Sequence, residues 1–448
     1  MTKRISTTLV TDPLRAWAWL VLLSAAALTL YIGQFEDTNA YIGIQPMWPV
    51  ADFGYWLIAV LWLGALALLM PWRVRSPIDI FLLPYLVGTA LWSATYWPAT
   101  GLVDAPGAIV LAGLLLFPAL AVRGSQWAAR RIRVKLPALS LGLPETALKP
   151  LLMLLLGLAA LLGYRVAGAD AGFGFEEAVL RRLAGRDSFA GNALAAYLMQ
   201  MGMNGLAPFL AFLGGLQRSW RAVAVAVVFA VFSFWLLAAK APLLYVGALA
   251  VAGVLVRSGR IENSTRWLMT ALAALLAIAI VEMLAAEVSL IAEFGIRRVI
   301  LVSSTIQVYF LDALSAVGWI GLLDGGMNTA GYATPEYFIG ANYMGSEETN
   351  ANTNAFLHQL ATGGIWGYLA VVAGTAFFLF LLEHRFAQAG RRDGFALAAL
   401  LGILLIEQAL TTALVSSGLL LCLLIAASCN LSGRAAPLVP SHPRQALS

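Results

Sequence analysis

The chain has 448 residues, of which 61% are hydrophobic and only 11% charged, and its mean hydropathy is +0.83. A soluble domain is about half apolar, so this composition excludes one and points to an all-α polytopic membrane protein. A net charge of +5 would suit nucleic acid in a soluble chain, but here its meaning depends on the side of the membrane each charge occupies, and no nucleic-acid partner is expected.

Crossing ~30 Å of hydrocarbon takes roughly twenty apolar residues, and on that rule about twelve spans are predicted. They fall at 16–34, 53–71, 78–97, 104–122, 147–166, 190–215, 222–239, 241–256, 267–289, 364–382, 394–413 and 415–431. The first apolar run is long enough to span and lacks a small-residue cleavage site, so it reads as a transmembrane helix and not as a cleavable signal. The run from Ala222 to Val256 is too long for one crossing, and Lys240, Ala241 and Pro242 mark the turn of a hairpin inside it. The expected organisation is a single integral membrane domain over 1–448. It has a basic cytoplasmic loop at 123–149, a large periplasmic loop at 291–363 between helices 9 and 10, and a flexible cytoplasmic tail at 432–448.

Lysine and arginine of short loops favour the cytoplasm. Applied here, that rule puts both termini inside and leaves seven exceptions among the 28 basic residues: Arg165, Arg181, Arg182, Arg186, Lys240, Arg297 and Arg298. Positive charge kept on the disfavoured side argues for an anionic ligand, and guanidinium forks suit phosphate. Structural pairing is the alternative, since Glu176, Glu177 and Asp187 lie near the first group and Glu282, Glu287 and Glu293 precede the last. The stretch EEAVLRRLAGR reads as a short interfacial helix ending at Gly185. Lys240 either snorkels to headgroups or supplies a point charge for a phosphate.

No phosphate-binding glycine loop occurs, three histidines make no zinc pattern, and neither a metal nor a cofactor is expected. Cys422 and Cys429 sit in the last apolar run and read as core thiols. Polarity concentrates instead between Ile291 and Gly367. Val299, Val302, Ile306, Tyr309, Phe310 and Ala313 recur at helical spacing after Arg297 and Arg298, which predicts an amphipathic helix lying along the outer surface. The segment 325–354 reads as loop. Its Tyr332, Tyr337, Tyr343, Asn342, Asn350, Asn352 and Asn354 are side chains suited either to sugar or to an interfacial aromatic belt. His358 stands alone on the outer side, as a hydrogen-bonding group or as the one side chain there with an intrinsic pKa suited to proton transfer near neutrality.

Two segments in this half of the chain, RRVILVSSTIQVYF and NTNAFLHQLATGGIWGYL, together with the lysine-interrupted LLAAKAPLLYV, resemble the O-antigen and exopolysaccharide polymerases of the Wzy type. The likeness covers about 220–385 and belongs to the wider O-antigen polymerase and ligase group with its GT-C type fold. It implies an enzyme of the bacterial inner membrane, working at the periplasmic face in lipopolysaccharide or exopolysaccharide biosynthesis. The growing glycan would pass from undecaprenyl diphosphate to a hydroxyl of a new lipid-linked repeat unit, with inversion and without a metal. A chain-length regulator and a flippase are the implied protein partners. On that reading Arg181, Arg182, Arg186, Lys240, Arg297 and Arg298 hold the diphosphate, and Arg297 and Arg298 also act in catalysis. His358 is the first candidate base, with Glu293 or Asp312 second, and Tyr309, Tyr343, Asn350, Asn352 and Asn354 contact glycan. The related ligases carry a His-Asn pair where this chain has Thr353 and Asn354, a departure that favours a polymerase over a ligase. Two other readings stay open: a glycosyltransferase using a monophosphate polyprenol sugar, with Glu36 and Asp37 after the first span, and a glycolipid transporter.

Overall fold

The computed structural model describes residues 3–42, 44, 53–132, 143–174 and 178–430. Glu176, Glu177, Arg133, Lys135, the side chain of Arg186 and the predicted tail lie outside the described residues. Regular structure is helical, apart from a two-residue parallel pairing of Leu143–Pro144 with Cys429–Asn430. Lipid offers no hydrogen bonds, so an apolar chain must satisfy its backbone within each segment, and the helix does that. Among the described residues nine helices are long and apolar enough to cross a membrane. Eight coincide with predicted spans, and three further predicted spans coincide with the shorter apolar helices Phe53–Leu69, Gly394–Leu404 and Leu419–Ser428. The predicted span 190–215 is helical from Ala193 to Gln217, interrupted by a π-helical turn at Gly202–Leu206.

The chain divides into two compact units. The first comprises Met1–Trp127, Asn263–Phe380 and Leu401–Leu410; the second comprises Ala128–Glu262, Leu381–Leu400 and Thr411–Ser448.

In the second unit, the helix Trp220–Leu237 stops at Ala238, which takes a left-handed φ of 53°, and Ala241–Ser258 begins with Pro242 in its first turn. The break falls where the Lys-Ala-Pro sequence predicts it. Ala207–Gln217 packs on Ala241–Ser258 so closely that a Cβ on Gly253 would collide with the carbonyl of Phe212, a backbone approach that only small residues permit. The helix predicted over EEAVLRRLAGR runs Ala178–Ala190 and does not end at Gly185 as expected. That glycine makes room for Leu237, whose side chain would crowd any Cβ there, so it serves packing and not termination. Both cysteines are buried.

The first unit corrects the expectation for residues 297–314. The helix Ser303–Asp324, which kinks at Gly318, is not a surface helix with one wet face, because from Ile300 to Leu314 nearly every side chain is buried. The hydroxyls of Ser303, Ser304 and Thr305 are satisfied by carbonyls of their own helix, which is what permits their burial. Ser303 Oγ donates to the carbonyl of Val299 (2.6 Å), Ser304 Oγ to that of Ile300 (2.7 Å) and Thr305 Oγ1 to that of Leu301 (2.9 Å). Gln307 Oε1 accepts from Ser93 Oγ at 2.6 Å on the packed helix Trp92–Thr100.

The stretch 325–354 is not all loop either. Pro335–Met344 forms a helix with proline in its first turn, a position that costs no hydrogen bond. The helix Ala355–Ala389 bends at Gly364, where φ is 61° and a side chain would strike the carbonyls of Leu322 and Gly325. The kink seats the chain on segment 322–325.

Candidate functional site

Arg297 lies between two π-helical turns, Ala292–Ile296 and Arg298–Val302, a conformation that widens the helix and re-aims its side chains. The two neighbouring arginines meet different fates there. Arg297 Nη1 donates to Asn39 Oδ1 (2.6 Å) and to the Tyr41 hydroxyl (2.7 Å), and it pairs with Glu293 Oε1 at 3.0 Å. The same Glu293 accepts weakly from Thr38 Oγ1 (3.4 Å) and Gln34 Nε2 (3.5 Å). Gln34 in turn exchanges two bonds with the backbone of Ser289, donating to its carbonyl at 3.1 Å and accepting from its N–H at 2.8 Å. Arg297 thus ties the polar end of the first helix to segment 289–297, the structural pairing left open from sequence. Glu282, one of the expected partners, instead accepts from Ser289 Oγ (2.7 Å) and Ile291 N (3.2 Å) and closes the turn after its own helix.

Arg298 is held far more loosely. Its Nη2 lies 3.8 Å from Glu407 Oε2, and the two side chains are 61% and 42% exposed. A pair of that length and exposure contributes ~0–1 kcal/mol, so the guanidinium is available to an anion at little cost. Glu407 lies in a non-helical turn after Gly394–Leu404, two residues beyond Leu405, whose carbonyl accepts the N–H of Ala355 at 3.0 Å. Through Leu405 and Glu407 the start of Ala355–Ala389 and Arg298 belong to one neighbourhood of the first unit.

His358 stands in the first turn of that helix. Its Nδ1 contacts the carboxylate of Glu336, in the first turn of Pro335–Met344. The Glu336 side chain is 8% exposed and that of His358 25%. Burial pushes the Glu336 carboxyl up, but the bond and charge of His358, followed by the hydroxyl of Thr334, outweigh it and hold the group below its ordinary range. At the other end of the Pro335–Met344 helix, Tyr343 donates its hydroxyl to Asp312 Oδ2 at 2.7 Å, and burial first and Asp312 second raise that hydroxyl above the ordinary tyrosine range.

The expected glycan-contacting residues separate on burial. Tyr309 is buried and stacks against Tyr343 with ring centroids 5.2 Å apart, so Tyr343 covers it and only Tyr343 presents a partly open ring. Asn350 and Asn352 are exposed. Asn354 is fully buried: its Oδ1 accepts the N–H groups of Phe356 (3.0 Å) and Leu357 (3.1 Å), which makes it the cap of the helix that carries His358.

The remaining predicted cations belong to the second unit. Arg181 is buried and donates from Nη2 to the carbonyl of Gly174 at 3.1 Å, while Arg165 and Arg182 are exposed. Lys240 is exposed at the start of Ala241–Ser258.

Sequence reasoning missed Glu336, Glu407 and the Asn39–Tyr41 anchor. Glu336 hides in Thr-Pro-Glu, an ordinary helix start. Glu407 did carry a signal, because an acid inside a predicted apolar span is expensive and therefore marks a site.

No protein-family model matches the chain, and neither a curated protein nor a solved structure does.

Proposed function

We propose that this membrane protein is a glycosyltransferase that polymerises polyprenyl-diphosphate-linked oligosaccharide repeat units at the periplasmic face of a bacterial inner membrane, with both termini cytoplasmic. The observation that carries the reading is the shared neighbourhood of Arg298 and His358. A loosely held, exposed guanidinium and a part-exposed imidazole are joined within one unit through Leu405 and Glu407.

The reaction asks for those two groups. The acceptor hydroxyl loses its proton to His358 as its oxygen bonds to the anomeric carbon. The bond from that carbon to the diphosphate oxygen breaks, and its electron pair leaves with the polyprenyl diphosphate. Arg298 offsets the charge developing on that leaving group, which is the larger electrostatic need of such a transfer. Direct displacement of this kind inverts the centre. Tyr343 and the exposed Asn350 and Asn352 supply the surface a sugar would meet.

The reading is tested by Arg298→Ala and His358→Ala in a producing strain. Each variant is expected to stay folded in the membrane, lose long glycan chains and accumulate single lipid-linked units. Normal chain lengths in both variants would overturn it.

A further inference from the structure

We propose that Glu336 is the positioning residue of His358: its buried carboxylate holds Nδ1–H, which fixes the neutral tautomer whose lone pair sits on Nε2. The inference rests on reading His358 as the proton acceptor, and it names the group that makes this imidazole a base of defined geometry.

Among the described residues Glu336 is the one hydrogen-bond partner of the His358 ring, through Nδ1. A quarter of the side chain remains exposed, so Nε2 is the nitrogen left for a substrate. A neutral imidazole has one donor and one acceptor nitrogen, and the bond made by the first decides the role of the second. When Nε2 takes a proton, the carboxylate opposite stabilises the imidazolium without itself becoming protonated.

Both partners are held by their helix starts. Glu336 occupies the first turn of Pro335–Met344, where the helix dipole favours an anion, and its carbonyl accepts the N–H of Ala351 at 3.2 Å. His358 follows the buried Asn354 cap and donates its N–H to the Asn354 carbonyl at 3.0 Å. A group fixed on two capped helix ends is preorganised in the sense a proton-transfer site requires. Besides the start of Ala355–Ala389, which brings His358 to Glu336, Ser303–Asp324 and the turn Ala40–Ile42 pack on Pro335–Met344. Their charged groups are Asp312, engaged by Tyr343, and Asp324; the turn has none. Stability alone is a poor reason to bury a carboxylate, since apolar replacement of a buried ion pair is often neutral.

Nitrogen-15 spectra of the full-length protein labelled at histidine test the inference. The chain has three histidines, and the His358 signals are those lost in His358→Gln. At a pH where the ring is neutral, the wild type is expected to carry its proton on Nδ1. Glu336→Ala should shift the population toward Nε2–H, while Glu336→Gln, which still accepts a hydrogen bond, should keep the Nδ1–H form. In a chain-extension assay with purified lipid-linked units, Glu336→Ala should lose on the order of 100-fold or more, the worth of a positioned general base. Glu336→Gln should recover part of that loss. An unchanged tautomer in Glu336→Ala overturns the positioning role whatever the activity. A changed tautomer with normal chain extension overturns His358 as the base and, with it, the catalytic meaning of the pair.

Discussion

Replacing Arg297 and Arg298 one at a time separates two adjacent residues of identical chemistry. Arg297→Ala removes the nitrogen that holds Asn39 Oδ1 at 2.6 Å, the Tyr41 hydroxyl at 2.7 Å and Glu293 Oε1 at 3.0 Å. Asn39 is fully buried, so its carbonyl is left without a donor, at about 1–3 kcal/mol. The part-exposed Glu293 adds ~0.5 kcal/mol, because solvent screens it. The total of about 2 kcal/mol lowers the folded-to-unfolded ratio roughly 30-fold. Arg298→Ala removes only the exposed 3.8 Å pair with Glu407, and its stability should stay within ~0.5 kcal/mol of the wild type. Reversible unfolding in mixed micelles of dodecylmaltoside and SDS, followed by tryptophan fluorescence, measures both. Chain-length analysis of the same variants then shows whether the tolerated substitution is the one that abolishes polymerisation. Equal stability of the two variants, or the reverse order, would refute the assignment of Arg297 as tether and Arg298 as the available cation.

Further outcomes follow from the same contacts. Asn354→Ala should destabilise the chain by about 1–2 kcal/mol through loss of a helix cap, and Asn354→Asp, which keeps the accepting oxygen, should restore most of it; a glycan-binding asparagine would show the opposite, with stability intact and chain extension lost in both. The Glu336 carboxyl is held below its ordinary value of 4.5, so its stabilising contribution is complete above that pH and is lost as pH falls through the lower, folded-state value. Unfolding midpoints of Glu336→Gln measured from neutral pH down through the carboxylate range should therefore fall less on the acid side than those of the wild type, and parallel curves would contradict the pairing. Gly253→Ala drives a methyl into the carbonyl of Phe212 and should deplete folded protein, whereas Gly247→Ala on the same helix meets open space and should not.

Length of apolar run was enough to locate the helices, because the bilayer demands about twenty residues per crossing whatever the fold. It was not enough for Ser303–Asp324. Serine, threonine and glutamine there read as a wet face, while in the fold each hydroxyl turns back to its own helix and the amide meets Ser93. Sorting basic residues by side of the membrane brought out Arg297 and Arg298. Which of them is spent on structure depends on Asn39 and Tyr41, more than 250 residues earlier in the chain. His358 was legible as a lone titratable group, but its partner was not. Glu336 precedes it by 22 residues and looks like an acid placed for a helix start, and only the packing of two helix ends brings the carboxylate to the ring.

The most direct test of the central claim is mass analysis of lipid-linked glycans from a strain lacking this protein, complemented in parallel with wild type and with His358→Ala. The account predicts that the deletion and the variant both accumulate single repeat units on polyprenyl diphosphate, and that the wild type restores long chains. Long chains retained on the lipid carrier in the deletion would instead mark a ligase, and an unchanged glycan profile would contradict a role in glycan assembly altogether.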